Sequence, residues 1–197
     1  MTERLDSPLR REQIAEAALE LVVSHGLAAV TVRRVAEAVG ISAAALYRHY
    51  KNKADILRAV IEEHNEMHMA NLRKAKSEST TPLGALRLLY FSVMKLVERY
   101  RALPVIFLSD ALWFEDPRLK QVMLEHHKDL RESIVELLLA GQQAGEIRTD
   151  LRVDELFVHY LGLIAMPALM LARDVNEVDI ARQTEANWSL FVRAVAS

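Results

Sequence analysis

The chain has 197 residues, 25 basic and 27 acidic side chains, a net charge of −2 and no cysteine. Its length suits one or two small domains with a core of their own. The missing cysteines exclude a disulfide scaffold, a thiolate zinc site, a cysteine nucleophile and a thiol redox sensor.

Hydrophobic content of 51% argues against disorder, and the near-neutral balance lacks the basic excess that usually marks a nucleic-acid binder. Met1 to Arg11 is polar, without the apolar stretch of a signal peptide, and the expected compartment is the cytoplasm. From there the apolar spacing is helical. Ile14, Ala17, Ala18, Leu21 and Val22 form one stripe, and Gly26 ends that helix. Thr31 is an N-cap for a short helix carrying Val32, Val35, Ala36 and Val39, stopped at Gly40. Ser42 caps a second short helix, Ala43 to about His49, and Asn52 caps a longer one from Lys53 to about Lys76.

After the polar connector at residues 77–81, Pro82 opens a helix to about Tyr100. A shorter helix runs from near Pro104 to about Trp113, and Asp116-Pro117 opens a long one to about Gln143. Asp154 and Glu155 suit the start of a helix reaching Arg173. Asn176 with Asp179 resembles a capping box for the last helix, to about Ala196. The expected fold is all-α, with nine helices and no strands. Residues 1–53 form an N-terminal three-helix domain, and residues 54–197 form a helical body whose first helix, residues 53–76, bridges the two.

The charge-free run Leu156 to Ala172 is 17 residues long. That is the short limit for crossing a bilayer, and it contains His159, Tyr160, Gly162 and Pro167, so it reads as a packed helix and no membrane is expected.

The segment from Val32 to Tyr50 carries the most information: two short helices around a tight turn at Gly40, with small Ala36 where the helices cross. Ile41 and Leu46 plug the interface beneath the second helix. This is the logic of a helix-turn-helix, whose second helix enters the DNA major groove. That helix exposes Ala43, Ala44, Tyr47 and Arg48, and small residues at its start allow close approach to base edges and phosphates. Residues 38–54 hold three cations, Arg48, Lys51 and Lys53, and no acid, so all three are expected to contact DNA phosphate. The whole-chain charge hides this division: residues 1–53 carry 8 basic and 6 acidic side chains, the remainder 17 and 21.

The run TVRRVAEAVGISAAALYRHYKNKADIL, with REQIAEAALELVVSHG before it, resembles the N-terminal domain of the TetR family of transcriptional regulators. The resemblance covers residues 10–58 and rests on a GxSxxALYxHYxxK motif. It implies a homodimeric repressor on double-stranded DNA, reading a palindromic operator. A small-molecule effector in the C-terminal body would shift the bridging helix, and the last two helices would pair with the partner's. It also implies that Thr31, Tyr47, His49 and Lys53 touch phosphate, with Arg33 and Arg34 nearby. Ser42, Ala43 and Ala44 would begin the recognition helix. Tyr50 matches a core aromatic. Ala45 departs from the glycine that many members carry. The stretch ALPVIFLSDALWFEDPRLKQVM resembles branches that include a nucleoid-occlusion regulator, which leaves open a body serving protein contact.

Other clusters carry two readings each. His64 and His68 have the i, i+4 spacing of a metal pair, but no third ligand is in view; a solvated polar face is the plainer reading, and no metal is expected. His126 and His127 project about 100° apart on a helix, so one faces the interior. Met94, Phe107, Trp113, Met123, His127, Tyr160 and Met166 are core or the lining of an adaptable apolar ligand pocket. There is no nucleophile elbow, Gly-rich phosphate loop or GxGxxG, so no catalytic residue, cofactor or enzyme activity is expected.

Overall fold

A computed structural model of the chain describes residues 8–174 and 179–197. Among them the fold is all-α: nine helices, no strands, and one isolated β-bridge between Ile147 and Ala196. The helices are α1 (Pro8–His25), α2 (Val32–Val39), α3 (Ala43–Tyr47), α4 (Lys53–Glu78), α5 (Pro82–Arg99), α6 (Leu103–Phe107), α7 (Pro117–Gln143), α8 (Val153–Ala172) and α9 (Ile180–Val195). The expected capping box at Asn176 lies outside the described residues. Asp179 caps α9 itself, its carboxylate accepting from the N–H of Arg182 at 3.0 Å.

The helix expected from Pro104 to Trp113 is two pieces. Leu103–Phe107 is α-helical, and Ala111–Glu115 is a single π-type turn. The indole of Trp113 explains the break: its N–H donates to the carbonyl of Phe107 at 3.0 Å. A carbonyl that would have waited for the next turn is satisfied by a side chain, so the helix stops there.

The chain divides into two compact units. One takes in the chain up to Glu66 together with Tyr100–His126; the other takes in Met67–Arg99 and His127–Ser197. Helices α4 and α7 each contribute to both. In the first unit α1, α2 and α3 pack as a trihelical head around Ile14, Ala18, Val22, Val35, Ala36 and Leu46, all buried. Helix α6 packs on α1, and the Tyr100 hydroxyl donates to Glu16 Oε1 at 3.0 Å.

The second unit has one apolar core drawn from α4, α5, α7, α8 and α9, with Leu89, Tyr90, Ile134, Phe157, Tyr160 and Trp188 among its members. Pro167 interrupts α8 and has no N–H to offer the carbonyl of Leu163 one turn back. Two neighbours supply donors instead. Asn187 Nδ2 on α9 lies 3.2 Å from that oxygen, and the Tyr90 hydroxyl on α5 lies 3.5 Å from it and 3.4 Å from the carbonyl of Thr184. Three helices are thus tied at the proline.

Candidate nucleic-acid interface

Helix α2 begins at Thr31, in extended conformation, whose Oγ1 accepts from the N–H of Arg34 at 3.2 Å. Accepting with its oxygen leaves the Thr31 hydroxyl its proton to donate. Helix α2 ends in a Schellman turn: the N–H of Gly40 donates to Glu37 and that of Ile41 to Ala36. Gly40 sits at φ 75°, a conformation that any side chain would strain.

Ser42 starts α3 in the same way, its Oγ accepting from the N–H of Ala45 at 3.2 Å. Leu46 is the anchor of α3, fully buried, and Ile41 before the helix is half-buried. The rest of α3 turns outward: Ala44 and Arg48 are exposed, Tyr47 is 47% exposed, and Ala43 and Ala45 are half-buried.

The cations frame this face unequally. Arg33 is exposed and shared with Glu37, its Nε 3.0 Å from Oε1. Arg34 and Lys53 are partly covered; His49 is exposed. Lys51 is exposed too, but its ammonium turns back onto α3. Asn52 caps α4, its side-chain oxygen accepting from the N–H of Asp55 at 3.0 Å. Asp55, which the sequence reading does not include, accepts in turn with its Oδ2 from the N–H of Lys51 at 2.7 Å. The spacing of Asn52 and Asp55, an acid three residues after a cap, was the signal for it. Just before α7, Asp116 holds Arg118 in a two-point ion pair that keeps its carboxyl below the usual carboxylate range. Asn52, Lys53 and Leu57 share a shallow cleft with Asp116, Arg118 and Leu119.

The residues expected to line a ligand pocket divide between the two units. Met94 and Tyr160 are buried in the second unit, and the Tyr160 hydroxyl is spent on the carbonyl of Leu86 at 2.9 Å. Phe107, Trp113 and Met123 belong to the first unit. Met166 is 60% exposed and His127 is exposed beside Phe157, so neither points inward. Of the adjacent histidines, His126 is the buried one. It stacks on Phe107 at 4.9 Å, with His64 at 5.2 Å and Asn65 Oδ1 3.1 Å from its Nδ1. The expectation of a solvated His64/His68 face is overturned, since His64 is half-buried and His68 only 2% exposed. Among the described residues no group of three metal-ligating side chains converges.

The partner-facing expectation for α8 and α9 meets an apolar surface. Val158 and Met166 on α8 and Leu190 on α9 are 60–67% exposed. A groove of about 500 Å³ runs beside them, lined by Leu156, His159, Leu163, Leu190, Phe191 and Ala194. Helix α8 is long and apolar enough to cross a membrane by length and composition, with a mean hydropathy of 1.6.

Residues 14–60 match the family model described as bacterial regulatory proteins, tetR family. The chain is 28% identical to the HTH-type transcriptional repressor KstR2 of Mycolicibacterium smegmatis, over 74% of this chain and 71% of that one. It is 30% identical to the nucleoid occlusion factor SlmA of Aliivibrio fischeri, over 71% of this chain and 81% of that one. Among solved structures, the transcriptional regulator FadR of Bacillus subtilis in complex with stearoyl-CoA shares its fold. Its TM-score is 0.78 at 23% identity, covering 92% of this chain and 97% of that one.

Proposed function

The chain belongs to the tetR family of bacterial regulatory proteins, and we propose that this DNA-binding regulator works as a homodimeric repressor in the cytoplasm. Two copies of the head read the halves of a palindromic operator. Thr31, Arg33, Arg34, Tyr47, Arg48, His49 and Lys53 meet the backbone, and Ser42, Ala43 and Ala44 approach the bases. The observation that carries this reading is α3 itself, anchored by the buried Leu46 while Ala44, Tyr47 and Arg48 stand outward on an acid-free stretch.

Pairing through α8 and α9 is supported by their exposed Val158, Met166 and Leu190, which a second copy would cover. A small, largely apolar effector held in the residue 54–197 body releases the operator. Support for the effector comes from the relatives, a regulator solved with an acyl-CoA among them. Titrating long-chain acyl-CoA thioesters into the operator complex tests this: dissociation at micromolar ligand is expected, and an unmoved complex across chain lengths counts against it.

A second reading has its own support, the 30% identity to a nucleoid occlusion factor. In that case the protein keeps its DNA in the presence of every apolar compound and binds a protein through the body instead.

A further inference from the structure

Helix α3 spans only five residues, Ala43–Tyr47, too short to hold its own C-terminus. The backbone N–H groups that follow are spent early: Arg48 donates to Ala45 at 3.4 Å, and His49 and Tyr50 donate to Leu46 at 3.0 and 2.9 Å. The next two carbonyls, of Tyr47 and Arg48, receive the Lys51 ammonium instead, at 2.9 and 3.3 Å. A cation at this end also suits the negative pole of the helix. The same residue's backbone N–H reaches the other way, into Asp55 Oδ2 at 2.7 Å on the first turn of α4. Lys51 therefore touches the end of one helix with its side chain and the start of the next with its backbone.

We propose that Lys51 is a positioning residue that clamps the recognition helix α3 to α4, and that its ammonium serves those two carbonyls rather than DNA phosphate. A rotation of α4 then carries α3 with it through Asp55 and Lys51, without repacking the head around Leu46. The assignment rests on the reading of α3 as the recognition helix. It separates Lys51 from Lys53, two residues away, which lines the cleft beside α7 and keeps its proposed assignment to phosphate.

The test compares full-length protein with Lys51→Met, Lys51→Arg and Lys53→Met on two duplexes, one carrying a genomically selected site and one of unrelated sequence. Lys51→Met keeps the aliphatic stem and removes every donor. It should weaken the selected duplex by about fivefold, the scale of one or two lost hydrogen bonds. The unrelated duplex and the slope of log affinity against log salt should not change, and Lys51→Arg should restore binding. Lys53→Met should lower that slope by about 0.9, one phosphate contact.

A Lys51→Met protein whose slope falls by the same amount, or which binds both duplexes as the parent does, overturns the clamp. Should the parent protein bind neither duplex, the DNA reading fails by itself. The clamp is then read by hydrogen exchange: the amides of Arg48, His49 and Tyr50 should exchange faster in Lys51→Met, and unchanged rates overturn it.

Discussion

Tyr47 and Leu46 are neighbours with opposite fates, one 47% exposed and the other fully buried, and that pair defines how α3 presents itself. Tyr47→Ala and Lys53→Ala should each weaken binding to all sequences, because both are assigned to phosphates, which carry no base identity. Filter binding on a panel of duplexes checks this; a changed preference at constant affinity would refute the assignment. Replacing Ala44 by Phe should alter or abolish site selection, since its exposed methyl leaves room for base edges; an unaltered selected site would count against base readout there.

His68 gives a different kind of residue-scale expectation. Burial holds its imidazole below the ordinary value, partly offset by Asp129. The folded protein then resists a proton that the unfolded chain accepts, so stability is full above about pH 6.5 and declines as pH falls from there toward the lowered folded value. Denaturation midpoints at pH 7.5 and 5.5 should converge in His68→Gln relative to the parent; an equal drop in both proteins would exclude His68 as the cause.

At this scale the sequence was legible where chemistry is local. Thr31, Ser42 and Asn52 cap as their positions indicate, because a cap needs only residues within one turn. Which of His126 and His127 points inward was not legible, because the answer depends on Phe107 and Asn65, distant in the chain.

Among the elements, α8 shows how a sequence fault is repaired from outside. Pro167 leaves the Leu163 carbonyl without its helical donor; Asn187 supplies one, and the Tyr90 hydroxyl, shared with the Thr184 carbonyl, lies within reach as a second. An unsatisfied carbonyl in the interior costs about 1–3 kcal/mol. The pair Tyr90→Phe with Asn187→Ala should therefore destabilise the parent by about 1–3 kcal/mol, and by clearly less in Pro167→Ala, where residue 167 regains an N–H for Leu163. Urea denaturation of the four proteins measures the coupling; equal losses in both backgrounds would mean that the proline and its neighbours are unconnected. The helix boundaries were readable from Gly, Pro and cap residues. The break after Phe107 was not, because it depends on the Trp113 indole folding back onto a carbonyl six residues earlier.

For the whole molecule the relevant features are a head with a cationic stretch, a body with excess acid, and an apolar face on α8 and α9. Leu190→Glu places a charge in that face and should shift the protein toward monomer in sedimentation, with loss of operator affinity following. A dimer of unchanged affinity would move the interface elsewhere. The division of charge was legible once the chain was cut at the bridging helix. The grouping of Tyr100–His126 with the head was not, since it rests on long-range packing such as α6 on α1 and Tyr100 on Glu16.

The central claim is that two heads read a two-fold DNA site. Selecting the genomic fragments that the purified protein retains, at increasing salt, tests it most directly. The expected result is one enriched inverted repeat with half-sites about one helical turn, or a whole multiple of it, apart, whose affinity falls steeply with salt. Retention of fragments with no shared sequence, or of none, would contradict it.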